Sequence, residues 1–448
     1  MSRADAIDRG NPFPGLRPFR ENEEDLFFGR ESQVDAMIDK LARTHFLAVV
    51  GTSGSGKSSL VNCGLRPGLH RGLMASAGTS WRMAQFRPGS HPVRAMARAL
   101  AEDRVLFRHD SVSPLSLQDI VEATLGMSRL GLVDIYEQAQ LAKGTNLLVV
   151  ADQFEELFRY RRIAAISARD EQSRSEEATA FVNLLLEARD QPKFPIYIVV
   201  TMRSDFLGDC AQTPGLPEAI NDGQYLVPRM TREERRAAVA GPIGVGGAKI
   251  DPVLLTRLVN DVGDNPDQLS ILQHALNRTW ARWRQAGHGP LSLPHYEAIG
   301  TMAHALDKHA EKTYGELQAG RQQEICERMF KALTDRGTDS RGIRRPTRLA
   351  DLCAIAQASL GEAILVIDAF RKPSRSFLMP PLPEALESDT VIDISHESLM
   401  RVWVRLTAWS DEEAQSAQLY RRLSETARLH AQDKAGPWRD PELQVARS

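Results

Sequence analysis

Three runs of apolar residues interrupt an otherwise mixed pattern: Phe46-Leu-Ala-Val-Val50, Leu147-Leu-Val-Val-Ala151 and Ile196-Tyr-Ile-Val-Val200. Unbroken runs of this kind predict strands buried on both faces. Material with helical spacing separates them, notably 92–100 and 178–188. Strands alternating with helices predict a parallel sheet covered on both sides. Stretches 82–86 and 224–227 are weaker candidates for two more strands. Upstream, Pro12, Pro14 and Pro18 forbid a helix over 11–19, whereas Val34, Ile38 and Leu41 share one face of a predicted helix over 31–41.

After about Thr231 the strand pattern stops. Stretches 232–240, 252–262, 268–284 and 302–314 predict consecutive amphipathic helices. Further helices follow at 322–333, 347–357 and 361–370, and then a hairpin pairs 374–379 with 390–394. Three helices and a hairpin outline a winged helix; the remainder, from His396, is helical and charged. At roughly 150 residues per domain, a chain of 448 residues has room for about three. The expected divisions are a lead segment 1–45, an α/β domain 46–235, a helical domain 236–318, a winged helix 319–410 and a charged helix 411–448. No repeat of roughly 20 to 50 residues recurs, which excludes a solenoid or propeller.

Composition narrows the classes. Lys plus Arg is 56 against 58 Asp plus Glu, a formal charge of −2, which argues against a chain that mainly coats nucleic acid or anionic lipid. With 42% hydrophobic and 25% charged residues, core material is ample and wholesale disorder is not expected. Cys63, Cys210, Cys326 and Cys353 form no Cys-x-x-Cys, which fits a reducing cytosol and supports neither a disulfide scaffold nor a zinc ribbon. No signal peptide and no run of about 18 apolar residues is visible, so a cytoplasmic protein is expected.

The segment Gly51-Thr52-Ser53-Gly54-Ser55-Gly56-Lys57-Ser58, followed by Ser59, fits the phosphate-loop pattern G-x-x-x-x-G-K-[ST] between a buried strand and a helix. Glycines let the backbone curl so that successive N–H groups converge on phosphate oxygens, and the helix start adds its positive end. Lys57 would bridge the β- and γ-phosphates, and the Ser58 hydroxyl would ligate Mg²⁺. Asp152, at the tip of the second apolar run, is the candidate second metal residue. Glu155 or Glu156 could polarise the attacking water, and Arg203, ending the third run, could sense γ-phosphate charge. Plainer roles stay open: a helix N-cap for Asp152, first-turn acids for Glu155 and Glu156, a surface loop start for Arg203.

Several segments together resemble the STAND class of signal-transduction NTPases, specifically the bacterial novel STAND branch. They include Pro14-Gly-Leu-Arg-Pro-Phe19, Phe27-Phe-Gly-Arg-Glu31, the phosphate loop, Ala151-Asp-Gln-Phe-Glu-Glu-Leu-Phe158, Pro228-Arg-Met-Thr-Arg-Glu-Glu234, Leu272-Gln-His-Ala-Leu276, Tyr296-Glu-Ala-Ile-Gly300 and Ile394-Ser-His-Glu-Ser-Leu399. They run in order over nearly the whole chain. The resemblance implies an ATP/ADP switch that holds ADP as a closed monomer, exchanges it for ATP, and then self-associates to activate an effector. Phe28, Gly29 and Arg30 match the segment along adenine; Pro266 matches a proline packed on the base. His396 resembles the winged-helix histidine at the ADP β-phosphate, although a histidine bonded to nearby backbone is equally natural there. A zinc-protease reading of His396-Glu397 fails because Met400 replaces the second histidine.

Two departures stand out. Gln153 occupies the place where related AAA+ ATPases carry a glutamate, so slow hydrolysis is expected. The family's effector and WD-repeat sensor are not visible, so they are expected in other chains or in missing segments. The competing classes are a winged-helix DNA-binding regulator and a nucleotide-binding scaffold that never hydrolyses. Nucleic acid is the less expected partner, because 347–357 turns apolar after Arg348 and Asp351.

Overall fold

A computed structural model describes residues 10–434 except 103–104, 108–115, 164–167, 192, 264–267, 288, 336–342 and 373–374, together with 436, 438, 440 and 443–444. For 160–163, 168–174 and 343 only the backbone is described. The chain forms two compact units, one built mainly from 18–250 and 255–269, the other mainly from 270–448 with 13–17 and 251–254.

In the first unit, α1 (Glu31–Thr44) leads into β1 (Phe46–Gly51), then α2 (Lys57–Leu60) and α3 (Arg66–His70). Next come β2 (Trp81–Phe86), α4 (Pro92–Leu100), α5 (Leu117–Met127), α6 (Gly131–Gln138) and β3 (Asn146–Ala151). They are followed by α7 (Glu156–Ile163), α8 (Ala168–Arg189), β4 (Ile196–Arg203), α9 (Leu207–Cys210) and α10 (Leu216–Gly223). The short strand β5 (Gln224–Leu226), α11 (Arg232–Val245) and α12 (Pro252–Asp261) complete the series.

The five strands form one parallel sheet in the order β2-β3-β4-β1-β5. Strand geometry sends alternate residues to opposite faces. Accordingly Phe46, Ala48, Val50, Leu147, Val149, Ile196 and Ile198 enter one apolar cluster, while Leu47, Val49, Leu148, Val150, Tyr197 and Val199 enter the other. Two covered faces explain why the central runs read as unbroken. The weaker candidates are the edge strands, only partly buried, and so carry polar residues.

The helix after the phosphate loop is not regular. Pro67 has no N–H to give to the Cys63 carbonyl. Instead the Arg66 N–H reaches back five residues to Val61 O, and 61–65 forms a π turn between α2 and α3. Gly64 and Gly68 on this helix meet Val34 and Ile38 of α1; a Cβ on Gly64 would lie 2.4 Å from Val34 Cγ2.

The second unit contains α13 (Gln268–Ala286), α14 (Leu293–Ala298), α15 (Thr301–Gly315) and α16 (Arg321–Ala332). Two short strands, β6 (Thr334–Asp335) and β7 (Ile343–Arg344), pair antiparallel. Then come β8 (Thr347–Arg348), α17 (Leu349–Ala356), α18 (Leu360–Arg371), β9 (Leu378–Met379) and β10 (Val391–Ile394). The chain continues as α19 (Ser398–Val402) and the long α20 (Val404–His430). β10 lies between β8 and β9 in an antiparallel sheet. The helix expected over 347–357 therefore starts at Leu349, because Thr347 and Arg348 pair with Ile392 and Val391 instead. Phe330, Phe370 and Trp403 form the aromatic centre of this unit, with ring centroids 4.9–5.8 Å apart.

No single described helix is long and apolar enough to cross a membrane. One packing constraint is directly testable. A Cβ on Gly223 would sit 2.2 Å from the Phe46 backbone oxygen, which cannot move without disturbing β1, whereas one on Gly244 would meet nothing within 4 Å. Gly223→Ala should cost about 1–3 kcal/mol in denaturant unfolding, and Gly244→Ala less than about 0.5 kcal/mol.

Candidate functional site

β4 lies between β1 and β3, with Gly51 level with Arg203 and Ala151 level with Val200. The three strands therefore deliver their following residues to one crevice at their carboxyl ends, where open parallel sheets bind ligands. The loop from Gly51 turns sharply: Gly54 and Gly56 have φ of 74° and 86°, a left-handed conformation that side chains resist. Gly56 caps α2, so the loop runs directly into the positive end of that helix.

Lys57 Nζ arches back to donate to Gly51 O at 3.0 Å and Thr52 O at 2.8 Å. Ser55 N donates to Thr52 O, while the buried Ser55 Oγ has no partner. Gly51 is itself constrained, since a Cβ there would lie 2.7 Å from that Oγ. Ser53 is half-buried and Thr52 exposed. Ser59 turns towards the lead segment, its hydroxyl accepting from Phe19 N at 3.2 Å. Asn62 Nδ2 donates to Phe19 O nearby, which fastens the lead segment to this helix.

Asp152 is only 5% exposed, and its Oδ1 accepts from Ser58 Oγ at 2.8 Å and Thr201 Oγ1 at 2.5 Å. Thr201 Oγ1 also accepts from Gln153 N, and Asp152 N donates to Phe86 O. One carboxylate thus joins the phosphate-loop helix to the tips of β3 and β4. Ser58 and Asp152 supply two hard oxygens in mutual contact, a donor set that fits Mg²⁺, which binds through one or two protein groups plus phosphate and water. Among the described residues no group of three or more His, Cys, Asp or Glu could hold a metal alone.

Gln153 adopts φ of 59°, a left-handed turn, and the two acids beyond it find different partners. Glu155 Oε2 accepts from Arg203 N at 3.3 Å, whereas Glu156 Oε2 accepts from Gly89 N at 3.0 Å, in the loop after β2. Burial pushes the Glu155 pKa up, against the lowering effects of Lys57, its own backbone and Arg203. The Arg203 guanidinium pairs with Asp205 and lies over the Phe206 ring.

The ring of Phe28 lies on Gly241 of α11, where a Cβ would be 2.5 Å from it. Gly29 has φ of 80° and the same closeness to Glu234 O. Arg30 is buried and donates to Pro228 O at 2.9 Å; burial lowers its pKa, opposed by Glu234 and Tyr225. Gln33 Nε2 donates to Glu234 Oε1 at 2.7 Å. Desolvation pushes Glu234 up, but hydrogen bonds from Gln33 and Thr231 and the charge of Arg30 outweigh it, leaving its pKa lowered. Pro266 lies outside the described residues.

In the second unit His396 Nδ1 accepts from Ser398 N at 3.1 Å, so the neutral ring carries its proton on Nε2. The buried Arg344 donates to Asp393 Oδ2 at 2.5 Å and to Ile394 O at 2.9 Å, and its Nε lies 3.9 Å from Glu397. This ionic group holds the strand end and the turn that carry His396.

A parallel sheet with a glycine-rich loop, lysine and hydroxyl at the end of β1, facing a buried aspartate at the end of β3, defines a P-loop NTPase fold. The chain belongs to the Novel STAND NTPase 1 family, whose sequence profile matches residues 12–437. No curated protein matches the chain. Among solved structures it resembles the Aeropyrum pernix ORC2 protein in its ADPNP-ADP complexes, at 13% identity and TM-score 0.45, over 93% of this chain and 98% of that one. The Aeropyrum pernix ORC1 protein in complex with DNA matches at 12% identity and TM-score 0.42, over 88% and 95%. Cdc6p from Pyrobaculum aerophilum matches at 11% identity and TM-score 0.33, over 92% and 97%. Likenesses this distant carry no argument about function.

The raised Glu155 pKa sets a pH dependence. A carboxyl whose folded pKa lies above its ordinary 4.5 binds its proton more tightly in the folded state, so stability is lost as pH rises through that folded value. Glu155→Gln should therefore gain stability over wild type on going from acid to about pH 7; a pH-independent difference would contradict the burial account.

Proposed function

We propose that this chain is an ATP/ADP-operated switch with slow Mg²⁺-dependent hydrolysis, in which nucleotide state sets self-association. The observation that carries the proposal is the meeting of Lys57, the loop amides and the Ser58–Asp152 pair at the carboxyl ends of adjacent strands. Lys57 would release the loop carbonyls and bond phosphate oxygens, and Ser58 and Asp152 would hold Mg²⁺, directly or through water. When bound, that ion would offset charge on the β- and γ-phosphates.

Of the two acids, Glu155 is the better candidate to take a proton from water, since it is buried beside Lys57 and Arg203 with a raised pKa. Glu156, bonded to the Gly89 amide, serves the loop after β2. Gln153 cannot act as a base, which suits slow turnover. Arg203 would exchange Asp205 for γ-phosphate charge. Phe28, Gly29 and Arg30 would line the base side, and Thr52 to Gly56 would wrap the phosphates. Ser59 would act through the lead segment.

For the second unit, helices α16 to α18 with the β8-β10-β9 sheet support the winged-helix reading. His396, with its proton on Nε2, has the donor that contact with a terminal phosphate of ADP requires. The buried Leu349, Leu352 and Ala356 give α17 a packing role, which disfavours DNA reading.

Lys57→Ala should weaken nucleotide binding at least about a hundredfold in a fluorescent-ADP titration; unchanged affinity would remove the proposal's basis. In single-turnover assays Glu155→Gln should slow hydrolysis by about 10²-fold or more, and Glu156→Gln by less. Equal, negligible hydrolysis in wild type and both variants would make the protein a nucleotide-binding scaffold.

A further inference from the structure

α13 and α15 flank a cleft of about 320 Å³ in the second unit, lined by Arg278, Arg282, Lys308, His309 and Lys312 with Gln285, which accepts from Arg282 at 3.4 Å, and small or apolar neighbours. Arg278 and Arg282 stand one helical turn apart on α13, and Lys308 and Lys312 one turn apart on α15. Like charges at that spacing repel, and among the described residues no carboxylate lines the cleft.

The acids of α15 are committed elsewhere. Asp307 accepts from Val404 N at 3.0 Å, and Glu311 accepts from Trp403 Nε1 at 2.6 Å and from both Nε and Nη2 of Arg405 at 2.9 Å. Glu316 pairs with Arg375, the further cation beside this cluster. The Lys308 side chain lies close over Gly300, where a Cβ would be 2.9 Å from its Nζ. His309 is 6% exposed, and its Nδ1 has no partner. Burial, then the charges of His274, Arg278, Arg375 and Lys312, push its pKa down, so the ring stays neutral. Desolvation also lowers His274, to about 3, and lowers Arg278, which Arg375 lowers further.

We propose that the α13–α15 cleft is a binding site for a small, multiply phosphorylated anion, separate from the phosphate loop. Four cations converging on one concavity without a carboxylate hold an excess of positive charge that an anion would relieve. The cleft has the size of a small-molecule site, and its two arginines offer planar forks that match phosphate oxygens. A concave pocket, as opposed to a basic stripe, suits a compact ligand better than a nucleic-acid backbone.

The test titrates inorganic tripolyphosphate by calorimetry into the full chain carrying Lys57→Ala, which separates this site from the phosphate loop. Binding should persist there, weaken with added salt, and fall at least tenfold when Lys308→Met and Lys312→Met are added. Exposed Arg282→Gln provides a milder variant and should weaken binding severalfold. Without ligand, each of these changes should leave the thermal midpoint unchanged or raised, because repulsion is removed. Equal affinity with and without the cleft changes, or no tripolyphosphate binding to Lys57→Ala, would overturn the proposal. So would a short DNA duplex that binds the cleft and is not displaced by tripolyphosphate. A failure of the nucleotide-switch reading would appear separately, as unaltered ADP affinity in Lys57→Ala alone.

Discussion

The Asp152 carboxylate holds the geometry of the first unit together. A carboxylate this deeply buried must be satisfied by donors, and its Oδ1 takes hydroxyls from Ser58 and Thr201. The Thr201 contact requires β4 beside β3, and β4 is flanked on its other side by β1, which leads into Ser58, so the sheet order and the site are linked. The same Thr201 hydroxyl accepts from the Gln153 N–H, which fixes the left-handed turn that leads into Glu155 and Glu156.

Around it, packing keeps the crevice in register. Alternate side chains of β1, β3 and β4 fill two apolar clusters, so a slip of one residue would turn each strand over. The helix after the phosphate loop is fastened on its other side by Gly64 and Gly68 against α1, and by the bonds to the Phe19 backbone. The segment around Phe19 is therefore a structural brace for the helix that follows the loop.

The central strands were legible because burial on both faces leaves an unbroken apolar run, and the phosphate loop because only glycine tolerates its turns. β8 was not: Thr347 and Arg348 are two polar residues whose partner, β10, lies over forty positions away, and the Leu-rich stretch after them extends a helical pattern backwards. Thr201 directly follows the third apolar run, yet its tie to Asp152 depends on strand order, which periodicity does not encode. Glu155 and Glu156 could not be told apart, since what distinguishes them is their partners, the amides of Arg203 and Gly89, which lie far off in sequence. Arg344 was one of several nearby arginines; what distinguishes it is burial against Asp393 and Glu397, a property of the folded unit.

The central claim is that a nucleotide's phosphates are gripped at the carboxyl ends of β1 and β3. Its most direct test is to denature freshly purified protein and identify what nucleotide is released, for wild type and for Lys57→Ala. Near-stoichiometric ADP from wild type and none from the folded variant is the predicted result. The same amount of nucleotide from both, or ADP binding undiminished by loss of Lys57, would contradict it.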